Sequence, residues 1–376
     1  MERERWELRR VMRFWKMLPV AVFILLSGCG QFFFKQTTPP PGSTGNYLYV
    51  ANSTASTIAG FSIGTSSLSA TSNSPYGLGV TPSALAVTPS GSFLYAASLA
   101  GAIYGYSIAS SGVPVILNNG SAVVSQISPV AIKVDPSGSW LIAVDLTPAA
   151  YLFAIDTSTG LLTSEGTVPL DAGTPNRIVF TPDDTLVYVS LGTGGVDILT
   201  FSSSTGALTK TNLIVKPKQA VNADLGMAVD PGGKYLFVAE TGLNGLRALS
   251  IASGGVLTEL SGSPYATGLG PSGVLVDSTG SYVYVANRTA NNISGFLLST
   301  TGALTQISGS PFTTGTNPVD LAEDTTNTYI AAACSGGTPD LQVFKIDTTT
   351  AGALDSFATA TTGTDPTGAA AIVSAK

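Results

Sequence analysis

Residues Pro271–Asn287 read PSGVLVDSTGSYVYVAN, an apolar stretch, a turn and a second apolar stretch that ends at Asn287. Each stretch has the length of a β-strand. The segment Asp277-Ser278-Thr279-Gly280 between them is typical of a hairpin turn, because glycine permits the positive φ that many turns need. The unit recurs along the chain, and a proline or aspartate marks the start of each copy: Pro82, Pro129, Pro175, Asp224, Pro271, Pro318 and Pro366. Neighbouring markers lie 46–49 residues apart, a period that indicates a four-stranded propeller blade.

Two more strands complete each repeat. The third strand ends at a Thr-Gly turn, as in Ser204-Thr205-Gly206-Ala207-Leu208-Thr209, and the fourth strand returns outward through segments such as 261–265 and 308–312. Second strands are predicted to begin near seven positions: Asn46, Ser92, Ser139, Thr185, Lys234, Ser281 and Thr328. First strands also number seven, provided that Pro366–Ser374 is one of them.

The strand order predicts how the ring closes. The repeats begin with a second strand and end with a first strand, so the N- and C-terminal strands should pair in one blade. Closure of this kind leaves no sheet edge unpaired at the splice. The sequence therefore predicts an all-β fold, a seven-bladed β-propeller of four-stranded antiparallel blades over residues 46–376.

The N-terminal residues predict export. A basic stretch from Arg3 to Lys16 precedes the apolar run Met17–Leu26 and the small residues Ser27 and Gly28. Ten apolar residues are too few for a membrane-spanning helix, which needs about 20. The run Leu26-Ser27-Gly28-Cys29 resembles the lipobox of bacterial lipoproteins, which implies cleavage before Cys29 and its lipidation. An ordinary secretory signal is the alternative.

This organisation predicts a location. We expect a signal peptide at 1–28, a lipidated cysteine with a Pro/Gly/Ser/Thr tether at 29–45, and a propeller held on the membrane by its N-terminal lipid. The protein would then lie in the cell envelope, as a periplasmic or outer-membrane lipoprotein. Gly30, where aspartate would signal inner-membrane retention, favours the outer membrane.

Composition excludes several functions. Without residues 1–28 the chain has 11 basic and 20 acidic residues, and a surface so acidic is a poor partner for nucleic acid. The chain contains no histidine, which excludes a Ser-His-Asp triad, a Cys-His pair and a His-ligated zinc site. The G-x-G-x-x-G match at 268–273 is followed by a strand and not by a helix, so no dinucleotide site is predicted. We predict no cofactor and no metal. Asp135, Asp230 and Asp277 are expected to cap turns rather than bind calcium.

Several of the repeated motifs resemble those of a known family. Tyr49-Val50-Ala51-Asn52 and Tyr284-Val285-Ala286-Asn287 resemble the signature of YVTN-type propellers, and Phe237-Val238-Ala239-Glu240 is a variant of it. Together with the Thr-Gly-Ala-Leu-Thr turns, they resemble lactonase-type, 6-phosphogluconolactonase-like propellers over residues 46–376. The resemblance implies the fold, and it makes lactone hydrolysis a candidate activity.

Two columns of residues should approach the central channel on one face of such a ring. The first column lies two places after the markers and contains five small residues and two opposite charges: Ala84, Ala131, Arg177, Gly226, Gly273, Asp320 and Gly368. The second lies at the ends of second strands: Asn52, Ser98, Asp145, Leu191, Glu240, Asn287 and Cys334. Lys133 and Glu323 add charges inside first strands. The charged residues either ring a water-filled channel and pair with one another, or bind a ligand.

Three functions are consistent with these residues. The first is a monomeric binding or interaction module that takes a small molecule or a protein at the channel face, with Arg177, Asp320, Asn52, Asn287 and Arg288 as candidate ligand-binding residues. The second is a lactonase-like hydrolase, in which Glu240 or Asp145 is the base and Arg177 or Arg288 holds an anionic substrate. The third is a redox enzyme with a quinone or a metal in the channel. Absence of histidine favours the binding module over the hydrolase.

Overall fold

The computed structural model describes residues 45–218, 223–363 and 372–375. In this part of the chain seven antiparallel sheets form the blades of a propeller. The predicted signal peptide, Cys29, nearly all of the tether and Gly368 lie outside the described residues. Within those residues no helix combines the length and the apolar character needed to cross a membrane.

Each blade is a consecutive group of strands, except that blade 1 also includes the last strand. Blade 1 contains β1 (Tyr47–Asn52), β2 (Thr57–Ile63), β3 (Leu68–Ala70) and β4 (Tyr76–Gly77). Blade 2 contains β5 (Pro82–Val87), β6 (Phe93–Ser98), β7 (Ala102–Ile108), β8 (Pro114–Ile116) and β9 (Val124–Ser125). Blade 3 contains β10 (Pro129–Val134), β11 (Trp140–Asp145), β12 (Ala149–Ile155) and β13 (Leu162–Pro169). Blade 4 contains β14 (Arg177–Phe180), β15 (Leu186–Ser190), β16 (Val196–Ser202) and β17 (Ala207–Val215).

The remaining blades repeat this arrangement. Blade 5 contains β18 (Asp224–Val229), β19 (Tyr235–Glu240), β20 (Gly245–Ile251), β21 (Leu257–Glu259) and β22 (Tyr265–Ala266). Blade 6 contains β23 (Pro271–Val276), β24 (Tyr282–Asn287), β25 (Asn292–Leu298), β26 (Leu304–Gln306) and β27 (Phe312–Thr313). Blade 7 contains β28 (Pro318–Glu323), β29 (Tyr329–Cys334), β30 (Leu341–Asp347) and β31 (Ala353–Ala360), and β32 (Ile372–Ala375) follows. Three short 3₁₀ turns lie at Asn118–Gly120, Thr241–Leu243 and Ser253–Gly255.

The ring closes as predicted. β32 pairs antiparallel with β1, with Tyr47 opposite Ala375 and Val50 opposite Ile372, so the last strand becomes the inner strand of blade 1. Every second strand begins one residue after its predicted start. Second strands are the most buried elements, because each lies between two others in its blade and between two neighbouring blades.

The fourth strands differ from the sequence expectation. In blades 1, 2, 5 and 6 the outermost strand is split into two short pieces that both pair with the third strand. In blade 5 the interruption contains Pro264, which has no backbone N–H to donate to the ladder. These blades keep four strand positions, but the outer edge is broken.

Apolar side chains hold the blades together in seven clusters, each between two neighbouring blades. One cluster joins blades 7 and 1 and contains Leu48 and Ile372 together with Ala331 and Val343. Another joins blades 2 and 3 through Phe93, Tyr95 and Phe153. Since a fully buried Val, Leu, Ile or Phe side chain contributes about 1.5–3 kcal/mol, the core of this fold is the set of blade interfaces.

A second interlock lies at the outer rim and explains the repeated Thr-Gly turns. The turn between the third and fourth strands of one blade packs its glycine on the first residue of the preceding blade's second strand. A Cβ on Gly112, Gly160, Gly206, Gly302 or Gly352 would lie 2.2–2.5 Å from atoms of the preceding blade. Tyrosine side chains of the preceding blade also donate hydrogen bonds to these turns, as the Tyr95 hydroxyl does to the Gly160 carbonyl (2.9 Å).

Aspartates cap the turns between first and second strands, as predicted. Asp230 accepts hydrogen bonds from the backbone N–H groups of Gly232, Lys234 and Tyr235 at 2.6–3.0 Å. Asp277 accepts from the backbone of Ser281 and Tyr282 at 2.8 and 2.6 Å. Carboxylates at these positions satisfy backbone donors that the turn would otherwise leave unpaired.

Candidate functional site

The inner strands of the blades line the central channel in layers that the strand register defines. One layer consists of inner-strand residues that pair with the fifth residue of the second strand, and it contains Ala84, Ala131, Arg177, Gly273 and Asp320. These residues are five of the seven members of the first column that the sequence predicted. We call this the upper layer, and we call the face beyond it, which carries the loops from fourth to first strands and from second to third strands, the upper face.

Small residues narrow the ring at the upper layer. A Cβ on Gly226 would lie 2.2 Å from the carbonyl oxygen of Ser272, and a Cβ on Gly273 would lie 3.1 Å from the Cα of Asp320. The inner strands of blades 5, 6 and 7 therefore approach more closely than larger residues would permit. The two charged members of the layer then reach each other across the channel.

Arg177 and Asp320 form a bridge between blade 4 and blade 7, on opposite sides of the ring. Both Nη atoms of Arg177 contact the carboxylate of Asp320. Nη2 donates a hydrogen bond to Oδ1, and Nη1 lies 3.4 Å from Oδ2. Their side chains are only 14% and 4% exposed. Bidentate geometry of this kind is the strong form of an arginine–carboxylate contact. The bridge divides the channel into an upper opening and a lower chamber.

The upper opening is a depression of about 270 Å³ above the bridge. Arg177 forms part of its floor, and the exposed Arg288 follows the second strand of blade 6 at its edge. Thr174, Asn176 and Ser272 supply polar atoms, and four apolar side chains complete the wall: Val130, Leu146, Leu225 and Val319. None of the described residues that line the opening is acidic. Two arginines and a mixed wall suit a small anion with some apolar surface.

The lower chamber has a volume of about 490 Å³ and extends to the first turn of blades 2 and 3 at Pro89 and Pro136. Lys133 and Glu323 are among its lining residues. Burial, the charge of Asp277 and the charge of Asp324 raise the pKa of Glu323 to about 7, although the backbone N–H and hydroxyl of Ser278 hydrogen-bond to its carboxylate and lower it. The chamber thus contains a carboxyl group that titrates near neutrality.

The two candidate bases lie away from both cavities. Glu240 is fully buried at the end of β19, where Oε1 accepts the backbone N–H of Lys218 (2.9 Å) and Oε2 lies 3.7 Å from Nε of Arg247. Asp145 ends β11 and accepts hydrogen bonds from the backbone N–H and hydroxyl of Thr147 and from the hydroxyl of Tyr151 (2.9 Å). Both carboxylates hold local structure, and neither lines the opening or the chamber.

The two candidate asparagines also bind local structure. Asn52 donates to the carbonyl of Thr362 (2.8 Å) and accepts from its hydroxyl (2.6 Å), which ties blade 1 to the loop after blade 7. Asn287 donates to Asn292 Oδ1 (2.7 Å) and to the hydroxyl of Ser294 (2.9 Å). Seven residues were predicted as catalytic or ligand-binding candidates. Of these, only Arg177, Asp320 and Arg288 line the upper opening or the lower chamber.

Sequence reasoning missed the polar residues at the upper opening. Thr174 and Asn176 flank the marker Pro175, and Ser272 follows the marker Pro271, so the signal was their position beside the start of an inner strand. Cys334 is a buried free thiol, as expected, and burial raises its pKa to about 12. In the described ranges no group of three or more Asp, Glu or Cys side chains is placed to hold a metal ion.

Comparisons with known proteins agree with this architecture. Residues 260–370 match the family model of the lactonase seven-bladed β-propeller. No curated protein matches the sequence significantly.

Three solved structures share the fold. A candidate 6-phosphogluconolactonase from Bacteroides uniformis is 17% identical with a TM-score of 0.70, and the alignment covers 88% of this chain and 99% of that one. The periplasmic gluconolactonase of Pseudomonas aeruginosa is 14% identical with a TM-score of 0.72, covering 88% and 99%. A chain of Kuenenia stuttgartiensis hydrazine synthase is 18% identical with a TM-score of 0.62, covering 85% and 99%.

These similarities show a shared fold. Two of the three proteins are named as lactonases and the third as a hydrazine synthase, so the fold does not fix the chemistry. The resemblance predicted from the Tyr-Val-Ala-Asn and Thr-Gly motifs is confirmed by the family match and by the ring of seven blades. The chain is a seven-bladed β-propeller, and its residues 260–370 are similar to the lactonase family of such propellers.

Proposed function

We propose that the protein is a binding module of the cell envelope that takes a small anionic molecule at the upper opening of its propeller. The observation that carries the proposal is the composition of the opening, which brings together Arg177 and Arg288 and includes no acidic residue among its described lining. Arg288 is exposed and supplies a guanidinium at the rim, and the Arg177 guanidinium lies beneath it. An arginine guanidinium binds carboxylate or phosphate through two parallel hydrogen bonds, so the ligand class is a carboxylate or phosphate with a compact polar body.

The test is calorimetric titration with gluconate and 6-phosphogluconate, the anions that correspond to the lactones in the names of two structural relatives. We expect binding by the parent protein and about a tenfold loss in Arg288→Gln, because a hydrogen bond to a charged group is worth about 1.5–3 kcal/mol. Lys345→Gln is the control, since Lys345 is an exposed cation on β30 and does not line the opening. Equal affinity in the parent and in Arg288→Gln would contradict the proposal, as would absence of binding by both anions.

A lactonase-like hydrolase is the second candidate, and the family match favours it. Hydrolysis needs a base that can reach a water beside the bound lactone. Among the described carboxylates, Asp320 is occupied by the bridge to Arg177, and Glu240 and Asp145 are engaged elsewhere. We therefore expect no appreciable hydrolysis of 6-phosphogluconolactone, with or without added divalent metal. Turnover that Asp320→Asn abolishes without a change in melting temperature would establish the hydrolase instead.

The lipid anchor is part of the same proposal and rests on the N-terminal sequence. The run Leu26-Ser27-Gly28-Cys29 supports cleavage before Cys29 and its lipidation. Mass spectrometry of the mature N-terminus should find a lipidated Cys29, and Cys29→Ala should release the protein from membranes. An unmodified N-terminal peptide, or membrane retention of Cys29→Ala, would remove the anchor but leave the ligand proposal untouched.

A further inference from the structure

The lower chamber contains a lysine in a layer that is otherwise apolar. In each blade one inner-strand residue pairs with the third residue of the second strand. In blade 3 that residue is Lys133, opposite Ile142. In the other six blades the equivalent residues are all apolar: Ala86, Val179, Ala228, Leu275, Ala322 and Val373. All seven line the chamber.

The ammonium group of Lys133 makes neither a hydrogen bond nor an ion pair with any residue that the structure describes (45–218, 223–363 and 372–375). Its side chain is solvent-exposed and lies in the chamber, which is lined by inner strands of the blades. The surrounding protein and the charge of Arg177 lower the pKa of Lys133, and the carboxylate of Asp320 opposes them. A cation in such a place is stabilised by an anion that brings its own apolar surface.

The acidic residues of the chamber do not serve as that anion. Three carboxylates line it, and each already accepts from other donors. Asp320 binds Arg177, and Glu323 accepts the backbone N–H of Ser278 (2.8 Å). Asp135 accepts the backbone N–H groups of Ser137 (3.1 Å) and Trp140 (2.8 Å). Among the described residues that line the lower chamber, Lys133 is thus the charged group without a hydrogen-bond or ion-pair partner, and it is available to a ligand.

We propose that the lower chamber is a second ligand site, in which the Lys133 ammonium binds the carboxylate of a small acid with an apolar body. The ring of alanine, valine and leucine side chains takes the hydrocarbon part, and a volume of about 490 Å³ accommodates a chain of several carbons. The Arg177–Asp320 bridge separates this site from the upper opening. The second site therefore does not depend on ligand binding at the upper opening.

The test uses hexanoate as the probe, with hexanol as an uncharged molecule of similar shape. Calorimetry or ligand-observed NMR should show that the parent protein binds hexanoate at least about tenfold more tightly than hexanol, since the difference is one charge-assisted hydrogen bond. Lys133→Met, which keeps the length of the side chain and removes its charge, should lose that preference. Lys133→Arg should retain it.

Two controls locate the binding site. Lys345→Met removes an exposed cation on β30 and should leave hexanoate affinity unchanged, as should Arg288→Gln at the upper opening. If Lys133→Met does not fold, Lys133→Gln replaces it, and near-ultraviolet circular dichroism checks that each variant is native. Equal binding of hexanoate and hexanol, or unchanged hexanoate affinity in Lys133→Met, would overturn the proposal. Loss of hexanoate binding in Arg288→Gln would also overturn it, because the probe would then occupy the upper opening.

Discussion

The outer rim and the central channel of this propeller follow the same sevenfold repeat, but they use it in different ways. At the rim, glycine turns pack on large side chains of the preceding blade in a nearly constant manner, from Gly112 on Tyr47 to Gly352 on Tyr282. In the channel, most repeated positions are small or apolar, and a few depart from the pattern: Lys133, Arg177, Asp320 and Glu323. Where the repeat is kept, it holds blades together. Where it is broken, it places charges inside the ring.

Ring closure tests whether the rim and the interfaces act as one unit. Deleting residues 364–376 removes β32, leaves β1 without its inner partner and takes Ile372 from the cluster between blades 7 and 1. We expect the truncated protein to unfold without cooperativity and to aggregate. Circular dichroism measures the unfolding, and size-exclusion chromatography measures the aggregation. Deletion of Lys376 alone is the control. A truncated protein that melts like the parent would show that the blades are stable without closure.

The glycine interlock at the rim predicts the next largest effect. Gly206 has φ +69°, and a Cβ there would lie 2.2 Å from the ring of Trp140. Gly206→Ala should combine left-handed strain of about 1–2 kcal/mol with overpacking of about 1–3 kcal/mol, a total loss of about 3 kcal/mol in urea unfolding.

Gly254→Ala is the matched control for the rim. Gly254 lies in the equivalent turn of blade 5 with φ +73°, and a Cβ there has no atom within 4 Å. It should lose only the strain, about 1 kcal/mol. Equal losses for the two variants would show that the contact with Trp140 does not stabilise the blade interface.

The channel bridge should respond differently from the rim, because its energy depends on the pair. Arg177→Met leaves the Asp320 carboxylate, which is 4% exposed, without its partner. Removing one member of a buried pair costs about 3–5 kcal/mol, and the channel's water should reduce the loss to about 2 kcal/mol. The double variant Arg177→Met, Asp320→Asn should recover much of it. Additive losses in the double variant would show that the two residues act independently.

The rim was more predictable from sequence than the channel. The Thr-Gly turns, the turn aspartates and the starts of second strands depend on local chemistry, and their predicted positions agree with the structure to within one residue. Closure by Pro366–Ser374 followed from counting strands. The broken fourth strands were missed, because apolar periodicity does not show where a proline, in blades 1, 5 and 6, or the 3₁₀ turn Asn118–Gly120, in blade 2, interrupts a ladder.

The channel required tertiary information. The sequence placed Arg177 and Asp320 in one column and left open whether they pair or bind a ligand, and the structure shows that they pair. Glu240 and Asp145 were expected beside the channel because they end second strands, but those ends lie one strand outward from it and face local backbone donors. The side chains that engage Glu240 and Asp145 could not be assigned to them from spacing alone.

Acid titration at the lower face should give the smallest effect. Asp184 lies in the first turn of blade 4 beside Asp135 of blade 3, and burial, together with a hydrogen bond and charge repulsion from Asp135, raises the pKa of Asp184 to about 7. A carboxyl group whose folded pKa exceeds its unfolded value stabilises the fold at pH below the unfolded value, and that stability is lost as pH rises through about 7. We therefore expect a higher melting temperature at about pH 5.5 than at about pH 8, and Glu323 also contributes to this difference.

Asp184→Asn should reduce this difference without adding strain, because asparagine tolerates the positive φ of 61°. Asp183→Asn is the control, since hydrogen bonds from Thr181 and Thr185 lower the pKa of Asp183 and move its titration below this window. The melting temperature of the parent and both variants at the two pH values measures the effect. A pH difference that persists unchanged in Asp184→Asn, or one that Asp183→Asn reduces equally, would show that the Asp135–Asp184 contact is not its source.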